Sequence, residues 1–283
     1  MLNRLPITRL LVFLSPFGIF FGVIAYLASS ISVDSRWQYT IAHENLPRVS
    51  GLVHSGDTLF VTLEQRHQKG KIISITGNDR KVLLDSLDLP DGLAIYKQQL
   101  IYTQEFGSHL VYEFDGLQNT PLFKADNAEG IDVAENGDVY IIEDRASGRI
   151  LKYTRETGVV STLLSGLNEA EGICIMNTGD IYYVLKSDNV LYRLRDGNST
   201  PVQSGLNKPA YLYCDKEEDG LWITEDRHNL GRLLHYDLDG SMQVIASRLK
   251  APQSICPIPD GSILLAEQGR NRILSFRRNG ATR

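Results

Sequence analysis

One phrase recurs about every forty residues, six times along this 283-residue chain. It begins with a Gly-Leu or Gly-Ile pair and runs through a short apolar strand, a turn and a second strand. A charged residue, a third strand and another turn follow. The third copy shows it most fully, as Gly130-Ile131-Asp132-Val133, Asn136-Gly137-Asp138, Val139-Tyr140-Ile141-Ile142-Glu143, Arg149-Ile150-Leu151-Lys152-Tyr153 and Gly158. The first turn glycine recurs at Gly56, Gly137, Gly179, Gly220 and Gly261, with Gln98-Gln99 in its place in the second copy. The second recurs at Gly77, Gly116, Gly158, Gly197, Gly240 and Gly280. Tight hairpin turns need positive φ, which a residue without Cβ adopts at least cost. Short strands repeating at this period predict an all-β fold, a six-bladed β-propeller with four-stranded blades.

The repeat also predicts how the ring closes. Trp37-Gln38-Tyr39-Thr40-Ile41 resembles the fourth strands of the copies, yet it precedes the first copy, while the last copy stops after Ile273-Leu274-Ser275-Phe276. The N-terminal strand is therefore expected to complete the sixth blade as its outer edge, covering edges that would otherwise stay open. Blade boundaries fall near Leu46, Leu87, Asn127, Leu167, Leu206 and Leu249, and the propeller spans residues 37–283.

Ahead of it, Leu10 to Ala28 carries no charge and follows Arg4 and Arg9. A run of that length can just cross a hydrocarbon core as a helix. Residues 1–9 then form a cytoplasmic N-terminus, and residues 10–32 form a transmembrane signal-anchor or a signal peptide cleaved near Ala28-Ser29-Ser30. Either way the propeller is expected outside the cytoplasm: in a bacterium it faces the periplasm from the inner membrane, and in a eukaryote it is lumenal or extracellular. A net charge of −5 without a basic tract argues against nucleic acid as a partner. Cys174, Cys214 and Cys256 are odd in number and fit neither a metal motif nor a disulfide framework, so they read as small buried hydrophobes.

In a propeller the first strand of each blade lines the central channel. The residue before each Gly-Leu/Ile pair stands at the channel mouth, and the six copies give Ser50, Asp91, Glu129, Glu171, Ala210 and Gln253. Asp91, Glu129 and Glu171 thus point carboxylates at one axis, as a hard divalent cation such as Ca²⁺ requires. The same residues can instead cap turns at a solvated rim. A second set ends the second strands: Glu64, Glu105, Glu143, Lys186, Glu225 and Glu267. Most of these are expected to pair across the blade with Lys71, Arg149, Arg232 and Arg272, as exposed pairs of small energetic value. The exceptions are His109 beside Glu105, and Lys186 in place of an acid. Glu105, His109 and Lys186 are the candidate catalytic residues, as proton carriers and as an oxyanion partner, with loop histidines His67 and His228 as further candidate bases. No Gly-x-Ser-x-Gly element suggests a serine nucleophile.

Pro90-Asp91-Gly92-Leu93, Ala128-Glu129-Gly130-Ile131 and Ala170-Glu171-Gly172-Ile173 resemble phrases of the senescence-marker-protein-30/gluconolactonase family and its lactonase and strictosidine-synthase-like relatives. Tyr140-Ile141-Ile142-Glu143 with Gly148-Arg149-Ile150 also resembles the NHL repeat. The resemblance implies a channel-bound divalent cation held by Asp91, Glu129 and Glu171, and a small-molecule substrate or ligand at the channel mouth. Two departures stand out: blade one reads Val49-Ser50-Gly51-Leu52 where the family has Glu-Gly-Pro-x-Trp, and the three acids fall in consecutive blades. The expected function is an exported, membrane-anchored, Ca²⁺-type hydrolase of a lactone or ester. The alternatives are a non-catalytic NHL-like propeller that binds a ligand or protein, and a strictosidine-synthase-like activity.

Overall fold

The computed structural model describes residues 30–280 except His228. They form six antiparallel sheets arranged as blades, five of four strands and one of five. Blade one comprises Val49–Ser55, Thr58–Leu63, Gly70–Thr76 and Asp79–Leu87. Blade two comprises Pro90–Tyr96, Gln99–Gln104, Leu110–Phe114 and Asn119–Lys124. Blade three comprises Ala128–Val133, Val139–Glu143, Gly148–Thr154 and Val159–Leu167, and blade four comprises Ala170–Ile175, Ile181–Leu185, Val190–Arg195 and Asn198–Gln203. Blade five runs Pro209–Asp215, Gly220–Glu225, Gly231–Asp237 and Met242–Leu249. Blade six takes Pro252–Pro257, Ile263–Glu267 and Arg272–Arg278 from the C-terminal end and Trp37–His43 from the N-terminal end. The expected closure is thus present, with Trp37 paired to Arg278 and Ile41 to Leu274.

The chain makes one further edge pairing. Ser32–Val33 lies antiparallel to the outer strand of blade five, with Ser32 opposite Ser247. Residues 32–33, expected within the segment 10–32, are therefore strand rather than helix and serve a sheet edge. Residues 10–29 of that segment lie outside the described residues. No helix among the described residues is long and apolar enough to cross a membrane.

The core is a ring rather than a ball. Each of the six apolar clusters sits between two consecutive blades, as in Leu191 and Leu206 of blade four against Leu212, Leu221 and Ile223 of blade five. Blades six and one close the ring through Cys256, Leu264 and Ile273 against Val49, Leu52 and Val61. Each fully buried Leu or Ile contributes about 1.5–3 kcal/mol, so every blade face is held by its neighbour. In blade two's hairpin, Lys97 (φ 46°) and Gln98 (φ 69°) adopt the positive φ values that the expected turn glycine would supply. Gln99 already belongs to the next strand, so the stand-in pair is Lys97-Gln98, one residue earlier than read.

The glycines of the Gly-Leu/Ile pairs answer a different need. A Cβ on Gly51 would fall 2.3 Å from the Asp91 carbonyl oxygen, and one on Gly92 would fall 2.3 Å from that of Glu129. Neighbouring innermost strands approach so closely around the channel that no side chain fits between them. The same approach corrects the reading of the cysteines. Cys174 and Cys214 form a disulfide across the innermost strands of blades four and five, with Cα atoms 5.5 Å apart. The two cysteines, 40 residues apart, lie in successive blades, and the ring brings successive innermost strands into direct contact. Cys256, a further blade on, remains a buried thiol whose pKa burial pushes up to about 12.

An acidic cavity at one channel mouth

Every innermost strand carries a bulge at the same place. The register slips by one residue between Val49 and Leu52, and likewise between Pro90/Leu93, Ala128/Ile131, Ala170/Ile173, Pro209/Leu212 and Pro252/Ile255. The extra residue leaves the ladder and re-aims its side chain, here toward the channel. The positions re-aimed are those read from the sequence: Ser50, Asp91, Glu129, Glu171, Ala210 and Gln253. Threonines clamp the bulges: Thr62 Oγ1 accepts the Gly51 N–H (2.6 Å) and donates to the Asp91 carbonyl (2.9 Å). Thr103 does the same between Gly92 and Glu129.

The second-strand set divides in two. Glu143, Glu225 and Glu267 lie directly opposite Ala128, Pro209 and Pro252. Opposite Val49, Pro90 and Ala170 stand Leu63, Gln104 and Leu185 instead. Glu64, Glu105 and Lys186 are one residue further on, and in a strand-end pleat one residue changes the face. Their true equivalents are Asp144, Asp226 and Gln268. All six of these residues line one cavity of 540 Å³, together with Asp91, Glu129, Glu171, Gln253, Arg48 and Lys250. Sequence reading missed Asp144, Asp226, Gln268 and Arg48. The dipeptides Glu143-Asp144, Glu225-Asp226 and Glu267-Gln268, set against Leu63-Glu64, Gln104-Glu105 and Leu185-Lys186, were the available signal.

The other row is buried and fully engaged. Arg149 donates to both oxygens of Glu143 (2.7 and 2.6 Å), which also accepts the Asp126 N–H (2.9 Å). Arg232 and the Asn207 N–H engage Glu225, while Arg272, Arg270 and the Lys250 N–H engage Glu267. Gln104 fills the role in blade two by accepting the Asp88 N–H (2.9 Å). These pairs are not the exposed ones expected: the three carboxylates are at most 1% accessible. The expected Glu64–Lys71 pair does not form. Lys71 meets Asp85 (3.2 Å), and Glu64 takes Arg48 and the Gln268 amide, each at 2.5 Å.

Within the cavity, seven carboxylates face three cationic side chains. Asp91, Glu105 and Glu129 each place an oxygen within 4.8 Å of the others. Ser50 donates to Asp91 from beneath. Burial, followed by repulsion from Asp91, pushes Glu105 up to about 9. Burial and then repulsion from Asp91 hold Glu129 well above the usual carboxylate range. Glu171, the third expected ligand, stands apart from this trio. Its Oε1 is 2.7 Å from Lys186 Nζ, and burial, partly offset by Lys186, leaves it at about 7. Burial likewise raises Asp144 above its ordinary value, against the pull of Lys186, and raises Glu64 to about 6. His109 does not join Glu105. Its Nδ1 lies 3.8 Å from Asp126, outside the cavity lining. His67 also lies off this cavity, and His228 lies outside the described residues.

The opposite end of the channel differs. A second cavity of 340 Å³ is lined by Leu52, Leu93, Ile131, Ile173, Leu212 and Ile255, with Asp132 and Lys216 among them. Tyr211 occupies the position that glycine holds in blades one to four and belongs to this wall. Its hydroxyl is pushed far up by burial and then by Asp91 and Glu129. It stands between the apolar end and the acidic end.

No protein-family model matches the chain, and no curated protein sequence does. Solved structures do. A gluconolactonase from Xanthomonas campestris is similar at TM-score 0.73 and 14% identity, over 90% of this chain and 93% of that one. A streptogramin B lyase is similar at TM-score 0.64 and 14% identity, over 86% and 98%. An auxiliary nutrient binding protein from Bacteroides thetaiotaomicron is similar at TM-score 0.66 and 13% identity, over 82% and 69%. At these identities the likeness establishes the propeller fold.

Proposed function

We propose that the chain is a divalent-cation-dependent hydrolase of a lactone or ester, working in the acidic cavity. The observation that carries this reading is the trio Asp91, Glu105 and Glu129, whose oxygens converge within 4.8 Å while two of the three are held away from ionisation. Carboxylate oxygens are the donors a Ca²⁺-type ion takes, and bringing such an ion near would let Glu105 and Glu129 release their protons. The donor set therefore fits, with Asp91, Glu105 and Glu129 as the holding residues and Ser50 orienting Asp91 from behind. When bound, such an ion polarises a carbonyl and lowers the pKa of water.

The chain's own groups supply the remaining parts. Lys186, positively charged and anchored by Glu171, faces the same cavity and can receive the negative charge that grows on the carbonyl oxygen as water adds. Asp144, with its raised pKa, is placed to take the proton of the attacking water and return it to the leaving alkoxide as the C–O bond breaks. A cyclic ester needs only this one donor, because its alkoxide stays attached. Export is part of the proposal: the charge-free run from Leu10 to Ala28 supports it, and so does the Cys174–Cys214 disulfide, a bond suited to oxidising compartments.

Melting the purified full chain with Ca²⁺ and with chelator tests the site. Ca²⁺ should raise the melting temperature in a concentration-dependent way, and Glu129→Gln should lose the shift. A panel of lactones and esters then tests the chemistry, with Asp144→Asn expected to keep the Ca²⁺ shift and lose turnover by about 100-fold or more. Equal melts throughout would remove the ion. A Ca²⁺ shift with no turnover of any panel member would leave a binding propeller.

A further inference from the structure

We propose that blade five carries a separate cation site, on the face away from the acidic cavity, built by His235, Asp215 and Glu218 and suited to a Zn²⁺-type ion. Three residues stand in a row across this blade: Asp215 opposite Gly220, and Gly220 opposite Asp237. His235 sits one pleat back, opposite Trp222. Gly220 has no side chain, and the imidazole lies over it; a Cβ there would fall 2.6 Å from Nε2 and 2.7 Å from Cε1. The ring thus fills the gap between the two flanking acids.

Its two nitrogens are treated differently. Nδ1 lies 3.1 Å from Asp237 Oδ1, which fixes the hydrogen on that side. Nε2 is buried, on a residue only 5% exposed, and has no hydrogen-bond partner. Leaving such a nitrogen buried and unpaired carries a desolvation cost that a bound ligand would remove. A histidine whose Nδ1–H is held by a carboxylate presents its Nε2 lone pair as metal-binding histidines do. Asp215, Glu218 and His235 each bring a ligand atom within 4.8 Å of the others.

The acids are suitably prepared. Asp215 Oδ1 accepts the N–H groups of Glu217 and Glu218 (3.2 and 3.1 Å), and Oδ2 accepts the Trp222 indole N–H (3.2 Å). Each carboxylate oxygen has two lone pairs, so Oδ2 keeps one after this bond. Glu218 reaches in from the turn, tethered by an exposed contact to Arg278 (3.1 Å) of the kind that binds weakly. One imidazole with two carboxylates suits Zn²⁺ and related ions better than Ca²⁺, which favours oxygen alone. Occupancy would tie the turn carrying Lys216, beside the apolar cavity, to the third strand of the blade.

Titrating the purified full chain with Zn²⁺ alone, and separately with Co²⁺ while following tryptophan emission, tests this. Trp222 lies 4.6 Å from the His235 ring, and the only other tryptophan, Trp37, is 5.7 Å from Trp222, so both report on the site. Expected are saturable Zn²⁺ binding and Co²⁺ quenching that persist in Glu129→Gln, weaken at least about tenfold in Glu218→Gln, and vanish in His235→Gln. Glu218 is exposed, so its variant stays informative if His235→Gln fails to fold. Binding that is unchanged in Glu218→Gln, or lost in Glu129→Gln and kept in the blade-five variants, or absent from the wild type, overturns the site.

Discussion

Glu143 and Asp144 are neighbours in the chain and opposites in the fold, as are Glu225 and Asp226. The first of each pair is buried among guanidinium and backbone donors; the second faces a cavity crowded with other acids. Carboxylates of one type thus serve as bolts on one face of a strand end and as unspent charge on the other. In blades two, three, five and six the bolt row ties the second strand to the entry loop of its own blade, so its removal should be felt most. Glu143→Ala leaves Arg149 and the Asp126 N–H without their shared acceptor. It should cost about 3 kcal/mol in chemical denaturation, since breaking a buried pair strands the partner charge. A cost below about 1 kcal/mol would mean that the row is ornamental and would erase the contrast with its neighbours.

The cavity row should respond to pH, and in the opposite sense to an ordinary stabilising salt bridge. Glu64, Glu171 and Glu105 are held at about 6, 7 and 9, each mainly by burial. A carboxyl raised in the folded state binds its proton more tightly there than in the unfolded chain. The folded form is therefore favoured below the ordinary carboxylate pKa and loses that advantage as pH rises through the raised values. Without divalent cations, the melting temperature should fall between pH 5 and pH 9 by on the order of a few °C. Glu105→Gln should flatten the alkaline part of the decline, and Ca²⁺ should flatten all of it. A metal-free melting temperature that rises over this range would show that the acids are already neutralised by something other than protons.

Much of the molecule was legible in the sequence because propeller blades repeat their constraints. The Gly-Leu/Ile pairs gave the bulge positions, and so Asp91, Glu129 and Glu171 were placed on the channel from the repeat alone. The face of the second-strand acids was not legible in the same way. Loops differ in length between copies, and aligning on charge rather than on the residue opposite each strand start moved Glu64, Glu105 and Lys186 by one position. That slip hid Asp144 and Asp226, and it compared Lys186, already a candidate oxyanion partner, with the wrong residues of blades three, five and six. Arg48 precedes the innermost strand and repeats nowhere, so no internal comparison could find it. The disulfide was hidden for another reason: Cys174 and Cys214 sit at unlike positions in their strands, since Ile173 matches Leu212 in register, and only the narrow ring brings them together.

The smallest predicted effect tests that corrected register most directly. Lys71 opens the third strand of blade one much as Arg149 opens that of blade three. Were Glu64 a bolt like Glu143, truncating Lys71 would strand a buried carboxylate, as truncating Arg149 does. Instead Lys71 meets Asp85, and both side chains are well exposed, at 38% and 55%. Lys71→Ala should therefore change stability by no more than about 0.5 kcal/mol, while Arg149→Ala should cost several times as much. Equal losses would return Glu64 to the bolt row and take it out of the cavity. Unequal losses mean that two lysine-or-arginine positions in one repeat have parted company, and that blade one gave up its bolt, with Leu63 in the bolt position, while Glu64 turned to the channel.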